Sequence, residues 1–403
     1  MSDIILPDAQ VHRGHHARIV LVVMDGLGGL PRPETGKTEL ETARTPNLDH
    51  LADRASLGML DPVGRGITAG SGPGHLSLFG YDPLRYVIGR GVLSALGVGI
   101  DLRHGDLAAR LNLATFDGQG RVSDRRAGRP SDEEGRRVVK KVMDALEQPD
   151  GYEISLTHEK EHRVVLLIRG EGLGEALTDT DPLEAGVEDL RCEANDSDSE
   201  KSAELVRNFL SQARDILSDE PAMNGFLARG FATYERIPTV EERYGLKAVA
   251  LAKYPMYRGV AKLVGMDVPA VPGDVEETVA LYEKHGRDHD FSFLHFKDTD
   301  TRGHDGDFDG KVEAIEAVDH LIPRILETEP EVLVVTGDHA TPALYQEHSW
   351  HAVPVLLWSR WPRPTGGEFG ESACRRGDLG RFHGTELMSL ALAHAGRLVK
   401  YGA

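Results

Sequence analysis

The sequence predicts an α/β fold in which a mostly parallel sheet flanked by helices is interrupted by a separate, smaller α+β unit. Two observations give the larger part. Ala17–Asp25 and Glu331–His339 are continuous apolar runs that each end in an acidic residue, the pattern of a buried parallel strand delivering a polar group at its carboxyl edge. A third observation gives the smaller part. From His104 to about Ala228 the pattern changes to strand candidates alternating with two amphipathic helices, which divides the chain into 1–103 with 229–403 and 104–228. Its 403 residues are enough for two such bodies.

In chain order, Ala17–Asp25 is the first strand, and the Gly26-Leu-Gly28 that follows is not a dinucleotide fingerprint. Pro31 and Pro33 fall where its helix should begin, and the third glycine is misplaced. Thr45 caps a helix with Pro46 in its first turn. The glycine-rich stretch Thr68–Asp82 carries Ser71 and His75, and Leu76, Leu78 and Phe79 can start a packed helix. In the smaller unit, strands are expected at Leu107–Phe116, Glu153–Leu156 and Arg163–Ile168. Ser131 and Glu134 form a capping box before a helix with Val138, Val142 and Leu146 on one face. A second helix carries Leu205, Phe209, Leu210, Ala213 and Leu217. The acidic stretch Thr178–Glu204 reads as an exposed loop, and its Asn195-Asp-Ser197 glycosylation pattern carries no weight without secretion. Strands then follow at Leu246–Ala252 and Asp290–Phe296, a long helix from about Lys311 to Glu327, strands at Glu331–His339 and His351–Trp358, and a closing helix from Gly384 to Ala395. No internal repeat or low-complexity segment occurs.

Composition narrows the function. With 40% apolar and 28% charged residues and no apolar run of membrane-spanning length, the chain reads as a globular protein with no membrane partner. The start, Met1–Pro7, lacks the basic region and apolar run of a leader, so the cytoplasm is the expected compartment. Cys192 and Cys374 are too few for a disulfide framework and have no zinc-ribbon spacing. A formal charge of -19 argues against a nucleic-acid partner. It leaves room for a small anionic substrate in a locally basic pocket.

The chemistry lies at the strand ends. Asp25, Asp300 with His304 four residues on, Asp338 with His339, and His348 are metal-ligand residue types, three of the four stretches following apolar strands. Singly each reads as a turn acid or a core histidine; together they suit divalent manganese, zinc, cobalt or magnesium, and no thiolate is near. Ser71-Gly-Pro-Gly alone reads as a turn. Beside two metals its hydroxyl reads as a nucleophile for phosphoryl transfer, since a protonated serine needs activation. Arg125, Arg126 and Arg129 are the best phosphate-binding candidates, with Lys253 and Arg258, around Tyr254 and Tyr257, a second pair. Asp305, Asp307, Asp309 and Glu316 match a calcium-loop pattern, but no helix leads in, and the acids fit the amino end of the next helix better.

Six stretches together resemble the archaeal-type, cofactor-independent phosphoglycerate mutases of the alkaline phosphatase superfamily. They are Val-Met-Asp25-Gly-Leu-Gly-Gly, Gly70-Ser71-Gly-Pro-Gly-His75-Leu with Phe79-Gly-Tyr-Asp-Pro, Asp124-Arg-Arg-Ala-Gly-Arg129, Lys253-Tyr-Pro-Met-Tyr-Arg-Gly, Asp300-x-x-x-His304-Asp-Gly-Asp-Phe, and Gly337-Asp-His339. The resemblance implies an alkaline-phosphatase-like sheet with 104–228 as the inserted substrate-binding domain. It implies two divalent metals, one held by Asp25, Ser71, Asp338 and His339, the other by Asp300, His304 and His348. Ser71 would take the phosphoryl group from one hydroxyl of phosphoglycerate and return it to the neighbouring one, with Arg125, Arg126 and Arg129 gripping substrate and domain closure excluding water. His348 and His351 compete for the last ligand position, and His348 keeps the expected distance to Val353-Pro354. His75 is expected to support the Ser71 turn. A metal-dependent phosphatase or other phosphomutase would use the same nucleophile, whereas a noncatalytic metal- or metabolite-binding protein would keep its binding without Ser71.

Overall fold

A computed structural model describes residues 11, 12, 14 and 16–402; Met1–Pro7, read above for a leader, lies outside them. The chain divides into a larger unit, 1–87 with 238–403, and a smaller one, 88–237. The boundary expected at residue 104 therefore falls earlier, and that at 228 later. The helix Arg90–Gly97 packs on the strands of the smaller unit, Gly91 lying so close to Ala108 that a Cβ would sit 2.3 Å from its carbonyl oxygen. The strand Gly225–Thr233 completes that unit's sheet.

The strands in order are β1 Ile19–Met24, β2 Ser56–Asp61, β3 Leu107–Phe116, β4 Val122–Asp124, β5 Glu153–Lys160, β6 Arg163–Arg169, β7 Gly225–Thr233, β8 Ala248–Leu251, β9 Phe291–Phe296, β10 Val332–Thr336, β11 Val353–Ser359 and β12 Gly380–His383. The larger unit holds one seven-stranded sheet, β12-β2-β11-β10-β1-β9-β8. All its pairs are parallel except the two made by β11, so the sheet is mostly parallel, as the apolar runs predict. Its central strands β1, β9 and β10 are buried at every position. Helices close the sheet, and the carboxyl ends of β1, β9 and β10 share one edge, where ligands of open α/β sheets gather.

The smaller unit is an antiparallel sheet, β4-β3-β6-β5 with β7 also on β3, covered by the helices Asp132–Ala145 and Glu200–Ile216. Ser131 and Glu134 make the expected capping box. Two details differ from the sequence expectation. The segment 178–204 is not wholly exposed: Thr180, Asp181 and Cys192 are buried, and Asp181 takes a two-pronged ion pair from Arg125 at 2.7 and 2.8 Å. The helix expected over 311–327 is two, Phe308–Asp319 and Ile322–Leu326, because Pro323 cannot donate to the preceding turn and starts a new helix instead. The acids before it behave as helix-start residues, Asp307 capping Phe308–Asp319 by accepting from the Gly310 amide.

Candidate active site

Every ligand candidate in the larger unit reaches one edge of its sheet. Asp25 follows β1, Asp300 and His304 lie on the helix Asp298–His304 after β9, Asp338 and His339 follow β10, and His348 precedes β11. Ser71 is the first residue of the helix Ser71–Leu78 rather than a turn residue. That helix is pressed against the ligand loop, since a Cβ on Gly74 would stand 2.3 Å from the Asp338 carbonyl oxygen.

Two groups of ligand atoms result. In the first, His339 Nε2 lies 3.0 Å from Ser71 Oγ, 3.3 Å from Asp25 Oδ1 and 3.3 Å from Asp338 Oδ2. In the second, His304 Nε2 and His348 Nε2 lie 3.6 and 3.5 Å from Asp300 Oδ1. His304 Nδ1 is 3.1 Å from the Gln346 carbonyl oxygen and His348 Nδ1 is 2.9 Å from that of Ala69. A proton on each Nδ1 satisfies those contacts and turns an Nε2 lone pair towards Asp300. Asp300, His304 and His348 can share one ion, and Asp25, Asp300 and His339 form a second such set. His351 is turned away, its Nδ1 on Ser349 Oγ and its ring stacked on Trp350.

The charges show what the site could hold. Asp25 Oδ1 and Asp338 Oδ2 are buried without a hydrogen-bond partner. Burial alone would raise the Asp25 carboxyl, but His295, His339 and the Lys297 ammonium outweigh it and hold it well below the usual range. Burial likewise opposes Asp300, whose contacts with His348 and Lys297 keep it low. Burial would lower His348 and His75, yet Asp300 raises the first and Asp338 the second. Orphaned anionic oxygens beside imidazole nitrogens, with no sulfur near, fit divalent cations.

Several residues here carried no local signal. Lys297 Nζ lies 3.1 Å from Asp25 Oδ2 and also contacts Asp300. His295 Nε2 is 3.1 Å from Asp25 Oδ2. The Tyr257 ring stacks on His295 at 3.8 Å and stands 5.0 Å from His75, with its phenol towards Asp25 and Ser71. Thr341 Oγ1 donates to Asp300 Oδ1 at 2.7 Å and contacts His339 Nδ1 at 3.0 Å. His75 supports the nucleophile as expected, its Nδ1 2.7 Å from the Ser71 carbonyl oxygen and 3.2 Å from Asp338 Oδ2.

The cation candidates divide. Lys253 donates to the Gly273 carbonyl, and Arg258 donates to those of Ala252 and Pro269, so both are spent on backbone. In the smaller unit Arg125 is spent on Asp181, while Arg126 and Arg129 are exposed. Their loop is held open by Asp124, which accepts from the Arg126 and Gly128 amides at 2.8 and 2.7 Å. Ala127, Gly128 and Arg129 all have positive φ, of 47°, 69° and 55°, a costly conformation for alanine and arginine of the kind functional loops retain. Arg110 was missed by the sequence reading. Its Nε is buried without a partner and it faces Arg229 directly across β3 and β7, where like charges repel.

Comparison with known proteins shows the family to which the chain belongs. The sequence model of the family described as 2,3-bisphosphoglycerate-independent phosphoglycerate mutase matches residues 52–223. A probable 2,3-bisphosphoglycerate-independent phosphoglycerate mutase of Thermus thermophilus is 51% identical over 392 residues, 96% of each chain. One of Deinococcus radiodurans is 47% identical over the whole of both chains. The solved cofactor-independent phosphoglycerate mutase of Thermoplasma acidophilum superposes with a TM-score of 0.72 at 28% identity, covering 94% of this chain and 100% of that one. A Pyrococcus horikoshii protein does so with a TM-score of 0.82 at 32% identity, covering 96% and 100%. The chain belongs to the 2,3-bisphosphoglycerate-independent phosphoglycerate mutase family.

Proposed function

We propose that this protein interconverts 3-phosphoglycerate and 2-phosphoglycerate through a phosphorylated Ser71. The observation that carries the reading is the position of Ser71 Oγ, 3.0 Å from His339 Nε2 and within the first group of ligand atoms. Asp25, Ser71, Asp338 and His339 would hold one divalent cation and Asp300, His304 and His348 the other, with manganese the preferred ion. Such cations lower the pKa of a hydroxyl and neutralise charge on a transferring phosphoryl group.

The Ser71 hydroxyl gives up its proton as Oγ attacks phosphorus and the bond from phosphorus to the glycerate oxygen breaks, and that oxygen takes up a proton. The neighbouring hydroxyl of the same glycerate then gives up its proton as it attacks, the bond from Oγ to phosphorus breaks, and Oγ takes up a proton to restore the serine hydroxyl. Ser71 opens a helix, so free backbone N–H groups and the helix dipole favour the negative charge it carries between the steps. His75 steadies the backbone of Ser71, and Lys297 supplies a positive charge beside Asp25 and Asp300. Arg126 and Arg129 are proposed as the grip on substrate anion, with Arg125 bracing their loop on Asp181. Lys253 and Arg258, proposed as further contacts, would have to exchange their present backbone partners for substrate. We also place the enzyme in the cytoplasm, acting on a small molecule rather than on nucleic acid or membrane, a reading supported by its charge of -19.

The test incubates metal-loaded protein with 3-phosphoglycerate and no added bisphosphoglycerate. Formation of 2-phosphoglycerate that stops on chelation supports the mutase. Free phosphate as the only product would replace it with a phosphatase, and no product at all would leave a binding protein.

A further inference from the structure

Lys311, in the helix Phe308–Asp319, is fully buried. Its ammonium donates to three backbone carbonyls, those of Gly26 at 2.9 Å, Gly28 at 3.2 Å and Thr341 at 2.9 Å. An ammonium has three N–H donors, and here each has an acceptor. Burying such a charge is expensive without full pairing, and its carboxylate neighbour, Glu39, stands no nearer than 3.9 Å. The cost therefore calls for a reason.

The three carbonyls supply one. Gly26 and Gly28 belong to the loop that delivers Asp25, and Thr341 belongs to the loop that delivers Asp338 and His339. These loops meet through isolated bridges from Leu27 and Gly28 to Ala340 and a bond from the Thr341 amide to the Gly26 carbonyl at 3.1 Å, not through a named pair of strands. The clamped carbonyls lie one to three residues from a candidate ligand. Gly26 also donates its amide to Asp338 Oδ1 at 3.1 Å, and Thr341 touches both Asp300 and His339 through its hydroxyl. Below the clamp, Glu39 accepts from the Ala343 amide and Glu371 from the Gly29 amide, at 2.8 and 3.0 Å, tying the far ends of the same two loops.

We infer that Lys311 is a positioning residue that holds the Asp25 loop and the Asp338–His339 loop in the register at which their side chains can share cations. The inference rests on the two-metal reading above, but the clamp itself does not depend on an ion being bound. Removing the ammonium leaves the buried Gly28 and Thr341 carbonyls in want of donors and Gly26 with the Thr341 amide alone, at 3.1 Å, and the loops then relax apart.

The experiment compares wild type with Lys311→Met, which removes every donor at similar length, and Lys311→Gln, which keeps two. Calorimetric titration of stripped protein with manganese is expected to show affinity weakened about tenfold or more in Lys311→Met, with Lys311→Gln between it and wild type. Amide hydrogen exchange of the metal-free proteins is expected to accelerate at 26–29 and 340–343 and not elsewhere in the sheet. Wild-type manganese affinity in a folded variant, or exchange raised evenly over the larger unit, would overturn the inference. If wild type itself takes up no manganese, the metal reading fails while the exchange comparison still decides the clamp. Should Lys311→Met not fold, Lys311→Gln carries the same comparison.

Discussion

At the scale of single residues, the site is a set of side chains that each need a second contact to do their work. His348 presents Nε2 to Asp300 only because Nδ1 is engaged by the Ala69 carbonyl. His348→Ala should reduce bound manganese from two ions to one, whereas His351→Ala should leave two; metal analysis after desalting reads the difference. These ligand candidates were legible in the sequence because an acid or histidine after an apolar strand leaves a local mark. Lys311 and its Gly26 partner are 285 positions apart, and no local pattern announces a lysine whose acceptors are backbone carbonyls. Tyr257 drew no role of its own from the sequence for the same reason, since its contact is with His295, on which its ring stacks. Arg258 was read as a substrate cation because a sequence does not show that nearby carbonyls take its donors.

At the scale of elements, the helix Ser71–Leu78 and the loop after β10 behave as one piece because Gly74 allows them to touch. Gly74→Ala would drive a Cβ into the Asp338 carbonyl, so neither partner can yield by a rotamer change. Overpacking of this kind costs typically 1–3 kcal/mol. The expected outcome is a lower unfolding temperature in chelator together with a smaller rise on adding manganese, because Asp338 is displaced as well; an unchanged rise would mean that the ligand tolerates the shift. The central strands were legible because both faces of β1, β9 and β10 are apolar. Strands β2, Ser-Leu-Gly-Met-Leu-Asp, and β12, Gly-Arg-Phe-His, were not, since a glycine and polar residues blur the pattern and only pairing with their neighbours makes them strands. The break after Asp319 could have been found from Pro323, which the apolar stripe of the expected long helix concealed.

For the whole molecule, stability and activity are linked through buried charge. Burial, partly offset by hydrogen bonds from Thr38 and Gly29, pushes the Glu371 carboxyl up to about 7 from an ordinary 4.5. The folded state thus binds that proton more tightly than the unfolded state. Its stabilising contribution is full below pH 4.5 and is lost as pH rises towards 7. The loss is roughly 3 kcal/mol. Urea unfolding of chelated protein at pH 4.5 and pH 7 should show wild type losing about that much relative to Glu371→Gln between the two, and parallel behaviour of the two proteins would refute it. Chelation should abolish turnover while leaving the sheets folded, because their cores hold no ligand residue.

The claim on which the rest depends is that the phosphoryl group rests on Ser71 between its two positions on glycerate. Metal-loaded protein mixed with 3-phosphoglycerate, quenched in acid and digested, can be searched for phosphate by mass spectrometry. The account predicts phosphate on the peptide containing Ser71 and none in Ser71→Ala, which makes no 2-phosphoglycerate. Isomerisation by Ser71→Ala, or turnover with phosphate only on another residue, would contradict it.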